Sequence, residues 1–228
     1  MRRALAVLLL ALAAAPVAAA PPGAAPGAPE DNDLREFRIG MAADEMPRTG
    51  YLGFACAGDA GRKLDGWQGY RQCPAEASGW HGVRFQYDEA ANPLAKVNGL
   101  YEGTKVGGHP VLLTALLGDD GRLKGLVIET DPAARMYLRK KAFLFGEQVK
   151  ARYGDAGWTC ARQEPTADQE PVGGVFLNER CEKVTANRRL TLDRVLFRRG
   201  GQDLKDFVSR SRLEILGRSD GEAARIAN

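Results

Sequence analysis

Four cysteines, two histidines and a scatter of carboxylates are the residues of this chain that could do chemistry. The cysteines are Cys56, Cys73, Cys160 and Cys181, and they fall as two pairs, 17 and 21 residues apart. An even number of thiols behind an export leader reads as disulfides, because the destination is oxidising. Each pair brackets a strand–turn–strand pattern, so the expected bridges are Cys56–Cys73 and Cys160–Cys181. Each closure would stabilise by roughly 3 kcal/mol in the chain-entropy picture. A structural metal would need Cys-x-x-Cys or similar spacing, which is absent, so neither a metal nor another cofactor is expected. A catalytic thiol would need an unpaired cysteine beside a base.

Other catalytic patterns are also missing. Ser78, Ser209, Ser211 and Ser219 lie outside any Gly-x-Ser-x-Gly elbow. His81 falls on an expected strand and His109 precedes Pro110; both read as ordinary polar residues. Gly107-Gly108 lacks the Lys-Ser/Thr of a phosphate loop. No catalytic residue is assigned. Carboxylates distant in sequence but converging in space are the hydrolytic arrangement left open. The aromatic residues Trp67, Tyr70, Trp80, Tyr87 and Tyr101 are a better lead. Exposed Trp and Tyr serve as binding anchors, so these five form a candidate binding surface. The competing reading is that they fill the core of a disulfide-bonded sheet.

Met1-Arg2-Arg3, an apolar run from Ala4 to Val17 and then Ala18-Ala19-Ala20 have the layout of a cleaved signal peptide, residues 1–19. The run is short of the roughly 20 residues that span a bilayer. No cysteine lies near the cleavage point to take a lipid. Residues 20–33 are dominated by Pro, Ala and Gly and read as a linker. The chain is therefore expected to be periplasmic or secreted. Without Arg2 and Arg3 its charge is close to balance, which argues against nucleic acid as a partner. The halves differ, however. Residues 20–130 carry 15 acidic and 11 basic groups, a net of −4. Residues 131–228 carry 14 acidic and 19 basic groups, a net of +5. A cationic second half allows peripheral contact with an anionic membrane surface.

The elements that must position these residues follow from periodicity. Asp131-Pro132 looks like a helix start, and Leu138, Ala142, Phe145, Val149 and Tyr153 make one apolar stripe ending at Gly154. Val111–Leu117 and Arg122–Glu129 flank Gly118-Asp-Asp-Gly121, the clearest hairpin. Trp80–Tyr87 alternates like a half-buried strand, with Val83, Phe85 and Tyr87 on one face. Trp67–Cys73 reads as extended, and Ala90–Gly108 as a long connection. Further strands are expected over 157–163, 174–181, 189–197 and 205–216. In Arg189–Phe197 both faces carry apolar residues, so the pattern does not choose the packed side. The expected fold is α+β: antiparallel sheet with one long helix, arranged as two tandem helix-plus-four-strand modules over 34–130 and 131–217, then a tail, 218–228.

Arg38-Ile39-Gly40-Met41-Ala-Ala-Asp-Glu45-Met46 resembles the start of the small periplasmic modules of the BamE and β-lactamase-inhibitor-protein kind. That resemblance implies a short helix packed on an antiparallel sheet, and binding rather than catalysis. The functional expectation is an exported, non-enzymatic binding protein of the cell envelope or secreted fraction, holding a protein or small-molecule ligand. The alternatives are an exported hydrolase with converging carboxylates and a structural envelope protein at anionic surfaces.

Overall fold

A computed structural model describes residues 33–59, 62–88, 104–203 and 205–218. The expected signal peptide, the linker up to residue 32, Tyr101 and the tail from residue 219 lie outside the described residues. Among the described residues, no helix is long and apolar enough to cross a membrane.

The strands are β1 (Tyr51–Cys56), β2 (His81–Tyr87), the two-residue β3 (Lys105–Val106), β4 (His109–Leu117) and β5 (Leu123–Thr130) in the first half. The second half supplies β6 (Thr159–Arg162), the two-residue β7 (Gln169–Glu170), β8 (Leu177–Val184), β9 (Arg188–Arg199) and β10 (Phe207–Gly217). They form one antiparallel sheet in the order β1-β2-β4-β5-β10-β9-β8-β6, with β3 and β7 pairing off this path with β4 and β9. The last strands of the two halves, β5 and β10, meet at the centre. The disulfide-bonded strands β1 and β6 lie at the two edges.

This overturns the α+β expectation of tandem helix-plus-strand modules. Strand makes up 46% of the chain and helix 13%, a mainly-β fold with one helical run of about 18 residues. The stretch Arg38–Met46 is turns and bridges instead of a starting helix. The Gly40 and Ala43 amides donate to the Leu123 and Gly121 carbonyls, and the Leu123 amide donates to Met41. Those groups continue the sheet beside the start of β5, so they are unavailable for helical hydrogen bonds. Trp67–Gln72 is a 3-10 turn, not extended chain. It is held by Cys73 through the disulfide to Cys56 and by the Trp67 indole N–H, which donates to the Pro47 carbonyl at 2.8 Å.

The helical run starts four residues later than the Asp131-Pro132 signal suggests. Asp131 Oδ1 accepts from the Ala133 amide, two residues on, which makes a local turn instead of a cap. The run comprises α1 (Met136–Arg139), a 3-10 turn (Ala142–Leu144) and α2 (Phe145–Tyr153). Gly154 stops α2 with φ +83°, a conformation costly for residues with a Cβ. The Lys183 ammonium, from β8, then donates to the Tyr153, Gly154 and Ala156 carbonyls. A cation thus sits at the helix end that favours one.

Register decides which face is packed. Phe85, Leu113, Ile128, Leu213, Leu192, Cys181 and Cys160 oppose one another in sequence across seven strands. The N-terminal turns, the 3-10 turn and α2 cover this side. In β9 it takes Leu190, Leu192, Arg194 and Leu196. The other side carries a charged rung, Arg180, Asp193, Arg212 and Glu129, and remains partly exposed. One covered and one wetted face is ordinary for an antiparallel sheet.

Phe37 is the centre of the covered side in the first half. It is fully buried, with ring centroids 5.0 Å from Tyr51, 5.4 Å from Trp67 and 5.2 Å from Phe85. Truncating it to alanine removes the one ring these three share. Phe37→Ala is expected to lower stability by about 3–5 kcal/mol, read as a fall in the denaturant midpoint.

Candidate functional site

Both expected disulfides are present, Cys56–Cys73 and Cys160–Cys181, and there are no free cysteines among the described residues. The aromatic surface is a different matter. Trp67, Tyr70 and Tyr87 are buried in the main core and Trp80 is half-buried. The three buried rings therefore cannot be exposed anchors. Their positions on inward-facing register, or on the 3-10 turn folded over it, explain why.

Two clusters of charge lie on the covered side. The first is a polar row across the second half. Ser211 opposes Arg194, Arg194 opposes Glu179, and Glu179 opposes Arg162. Glu179 has no exposed side-chain surface. Its carboxylate accepts from Arg194 Nε at 2.8 Å and Arg162 Nε at 3.2 Å, and Lys150 Nζ of α2 lies 3.4 Å away. Arg194 also reaches Glu147 on α2. Burial opposes ionisation of Glu179, but Arg194, Lys150 and Arg162 outweigh it and hold its carboxyl below the usual range. A group so held is a poor proton donor, the reverse of what a paired-carboxylate hydrolase needs. Cys160, Glu179 and Cys181 bring their ligand atoms within 4.8 Å of one another. Both sulfurs are bonded to each other, so neither is a thiolate available to a metal.

The second cluster closes one end of the sheet. His81 Nδ1 lies 2.8 Å from the Cys73 carbonyl and Nε2 lies 3.0 Å from Asp119 Oδ1. Both neighbours can only accept, so both ring nitrogens must carry protons to make both bonds. The hydrogen bond to Asp119 is the main reason the imidazole is held above its usual range, with the Cys73 carbonyl helping. Arg71 also donates to the Asp119 carbonyl, at 2.9 Å. The arrangement clamps the β4–β5 turn to the disulfide-bonded 3-10 turn. No serine or cysteine nucleophile accompanies it among the described contacts. His109, at the start of β4, is half-buried against Phe145, and burial with the nearby Lys141 lowers its pKa.

A cavity of about 230 Å³ lies between the central strands and α2. Ile128 and Leu213 of the central pair line one side. Phe145, Val149 and Tyr153 come from α2, Leu34 from the N-terminal turns, and Val106 from β3. Asp33, Gln148 and Arg152 add polar groups. Asp33 is already held: Arg188 of β9 donates to both its oxygens at 2.6 and 2.9 Å, and it accepts from the Ile39 amide at 2.7 Å. The Tyr153 hydroxyl donates to the Asp33 carbonyl at 3.0 Å. These bonds fix the wall without filling the space. Sequence periodicity did identify Phe145, Val149 and Tyr153 as one stripe, but not that they would face an opening.

No protein-family model matches this chain, and comparison with curated proteins and with solved structures gave no match.

Gly146 of α2 marks where the polar row passes under the helix. A Cβ there would stand 2.0 Å from Arg194 Cδ, in a side chain pinned between Glu179 and Glu147. Alanine gains about 1 kcal/mol of helix propensity, but the overpacking costs about 1–3 kcal/mol and dislodges the ion pairs. Gly146→Ala is therefore expected to destabilise the protein, measured by its denaturant midpoint. The His81 clamp gives a pH effect of defined sign. A pKa raised on folding adds stability below the unfolded imidazole value, near about 6.5, and that stability is lost as pH rises through the folded pKa. Melting temperature should fall across this window, and Asp119→Asn should flatten the slope.

Proposed function

We propose that this chain is an exported, non-enzymatic binding protein that holds a small, mainly apolar ligand in the cavity beneath α2. The cavity itself carries the reading. It has apolar walls from five separate elements and a few polar groups, the usual composition of a ligand pocket. Its volume is below the roughly 300–1,000 Å³ of drug-sized sites, so the ligand is correspondingly small. Two disulfides suit a protein working in an oxidising compartment. The charged groups nearby are already engaged in holding the fold: Glu179 by three cations and Asp33 by Arg188. That favours holding a ligand over transforming one.

Val149 is the residue to test, because it is buried and lines the cavity from α2. Calorimetric titration with straight-chain alcohols and carboxylic acids of graded length should show saturable binding with a negative heat-capacity change. Val149→Phe should fill the space, keep the cooperative melting transition and weaken binding by roughly tenfold or more, as expected for a lost apolar site. Absence of saturable binding in the unmodified chain, or equal binding in a folded Val149→Phe protein, overturns the reading.

A further inference from the structure

The segment just ahead of α2 is difficult to explain by packing. Helix α1 buries none of its four residues. Met136 is 53% exposed, Tyr137 57% and Leu144 40%. These are among the largest apolar exposures on the described surface. Lys140 and Lys141 are exposed as well, and neither has an ion-pair partner among the described residues. Met136, Lys140 and Leu144 recur every four residues, and Tyr137 and Lys141 repeat the spacing one position on. Helix α1 ends at Arg139, Lys140 and Lys141 lie in the turn that follows, and Leu144 closes the 3-10 turn, so five exposed residues fall within nine positions of chain. The sequence has no acidic residue between Asp131 and Glu147.

We propose that this stripe, Met136, Tyr137, Lys140, Lys141 and Leu144, docks the protein on an anionic lipid surface. Two independent properties meet in it. Apolar side chains stand about half in solvent, and Lys140 and Lys141, with no ion-pair partner among the described residues, lie between them in the sequence. That is the composition of a segment lying in a membrane interface, where apolar groups enter the acyl boundary and lysines meet the head groups. Lysine suits this role, since a mobile point charge needs no fixed partner geometry. A folded acidic protein would also attract the cations, but it would have to supply an apolar hollow for three protruding side chains. A fluid bilayer surface supplies that without a matching shape. The stripe ends one residue before Phe145, a wall of the cavity, yet the docking does not depend on the cavity being a ligand site.

Cosedimentation of the full mature chain with phosphatidylcholine vesicles, with and without phosphatidylglycerol, tests this. Binding is expected only where phosphatidylglycerol is present, and it should weaken as salt is raised. Lys140→Gln with Lys141→Gln should lower the partition coefficient by roughly tenfold or more. Met136→Ser with Leu144→Ser should lower it further while circular dichroism stays unchanged, since both positions are exposed. A polyglutamate arm separates the other partner class. Retention by polyglutamate without vesicle binding, equal binding to neutral vesicles, or binding that neither variant weakens would each overturn the proposal.

Discussion

The pairing of β5 with β10 is the constraint on which the rest of this structure depends. These strands end the two halves of the chain, and they meet with Leu213 opposite Ile128 and Arg212 opposite Glu129. Such a contact joins residues more than eighty positions apart and must overcome the corresponding loop entropy. What fixes it is parity. A slip of one residue would turn Leu213 and Ile215 outward and bring Arg212 and Glu214 under the helix. Because the rung continues on both sides, through Leu113 and Phe85 in one direction and Leu192 and Cys181 in the other, the error would run through the sheet. The same pair lines the cavity. The cavity at this position therefore exists only when both halves are in register.

Cover for that face is scarce, and the fold meets the shortage in two ways. Over the first half the cover is aromatic. Phe37, Phe54 and Trp67 arrive from the N-terminal turns, the edge strand β1 and a 3-10 segment respectively, and edge-to-face rings fill much of the layer. Over the second half it is partly ionic. Glu179 and Arg194 are buried where apolar side chains would otherwise sit, and Lys150 and Glu147 reach down from α2 to meet them. Buried ion pairs seldom exceed a hydrophobic alternative in stability. Their value here is directional. An apolar stripe would let α2 slide or rotate over the strands, whereas Arg194 threaded past Gly146 between two carboxylates permits one placement. The wall of the cavity formed by Phe145 and Val149 inherits that placement.

Local signals in the sequence were read correctly where the structure is also local. The Gly118–Gly121 turn lies between β4 and β5, and each disulfide closes within its own half. Failures came where a group that local rules had assigned took another partner, near or distant. Asp131 looked like a cap but closes a turn with Ala133. Arg38–Met46 looked like a helix, but its amides and carbonyls pair with residues 121–123. Trp67, Tyr70 and Tyr87 looked like anchors because composition cannot say which face a ring will take. The double apolar pattern of Arg189–Phe197 is explained by Leu190, Leu192 and Leu196 facing the core while Val195 and Phe197 stand partly exposed opposite. Arg194, on the inward parity, was the signal for the buried cluster. Its acidic partners lie 15 and 47 residues away, which no spacing rule could have joined.

Charge accounts for the division of labour along the helical run. The second half has five more basic than acidic groups, and many of its cations are fully occupied. Arg188 holds Asp33, Arg194 and Lys150 hold Glu179, Arg180 holds Asp193, and Lys183 closes the end of α2. These serve the fold at points where an acid or a row of carbonyls awaits them. Lys140 and Lys141, just after α1, differ in having no carboxylate within their own stretch of sequence. Arg139 rests over the Phe207 ring, at 5.3 Å, and Lys140 and Lys141 project into solvent. A turn kept only to connect β5 to α2 would need neither lysines nor Met136 and Tyr137. Any polar, short-chained sequence would serve at lower risk of aggregation. The fold thus assigns the C-terminal part of the run to the sheet beneath it and leaves the N-terminal part unassigned, and the residues found there are those whose chemistry is directed outward.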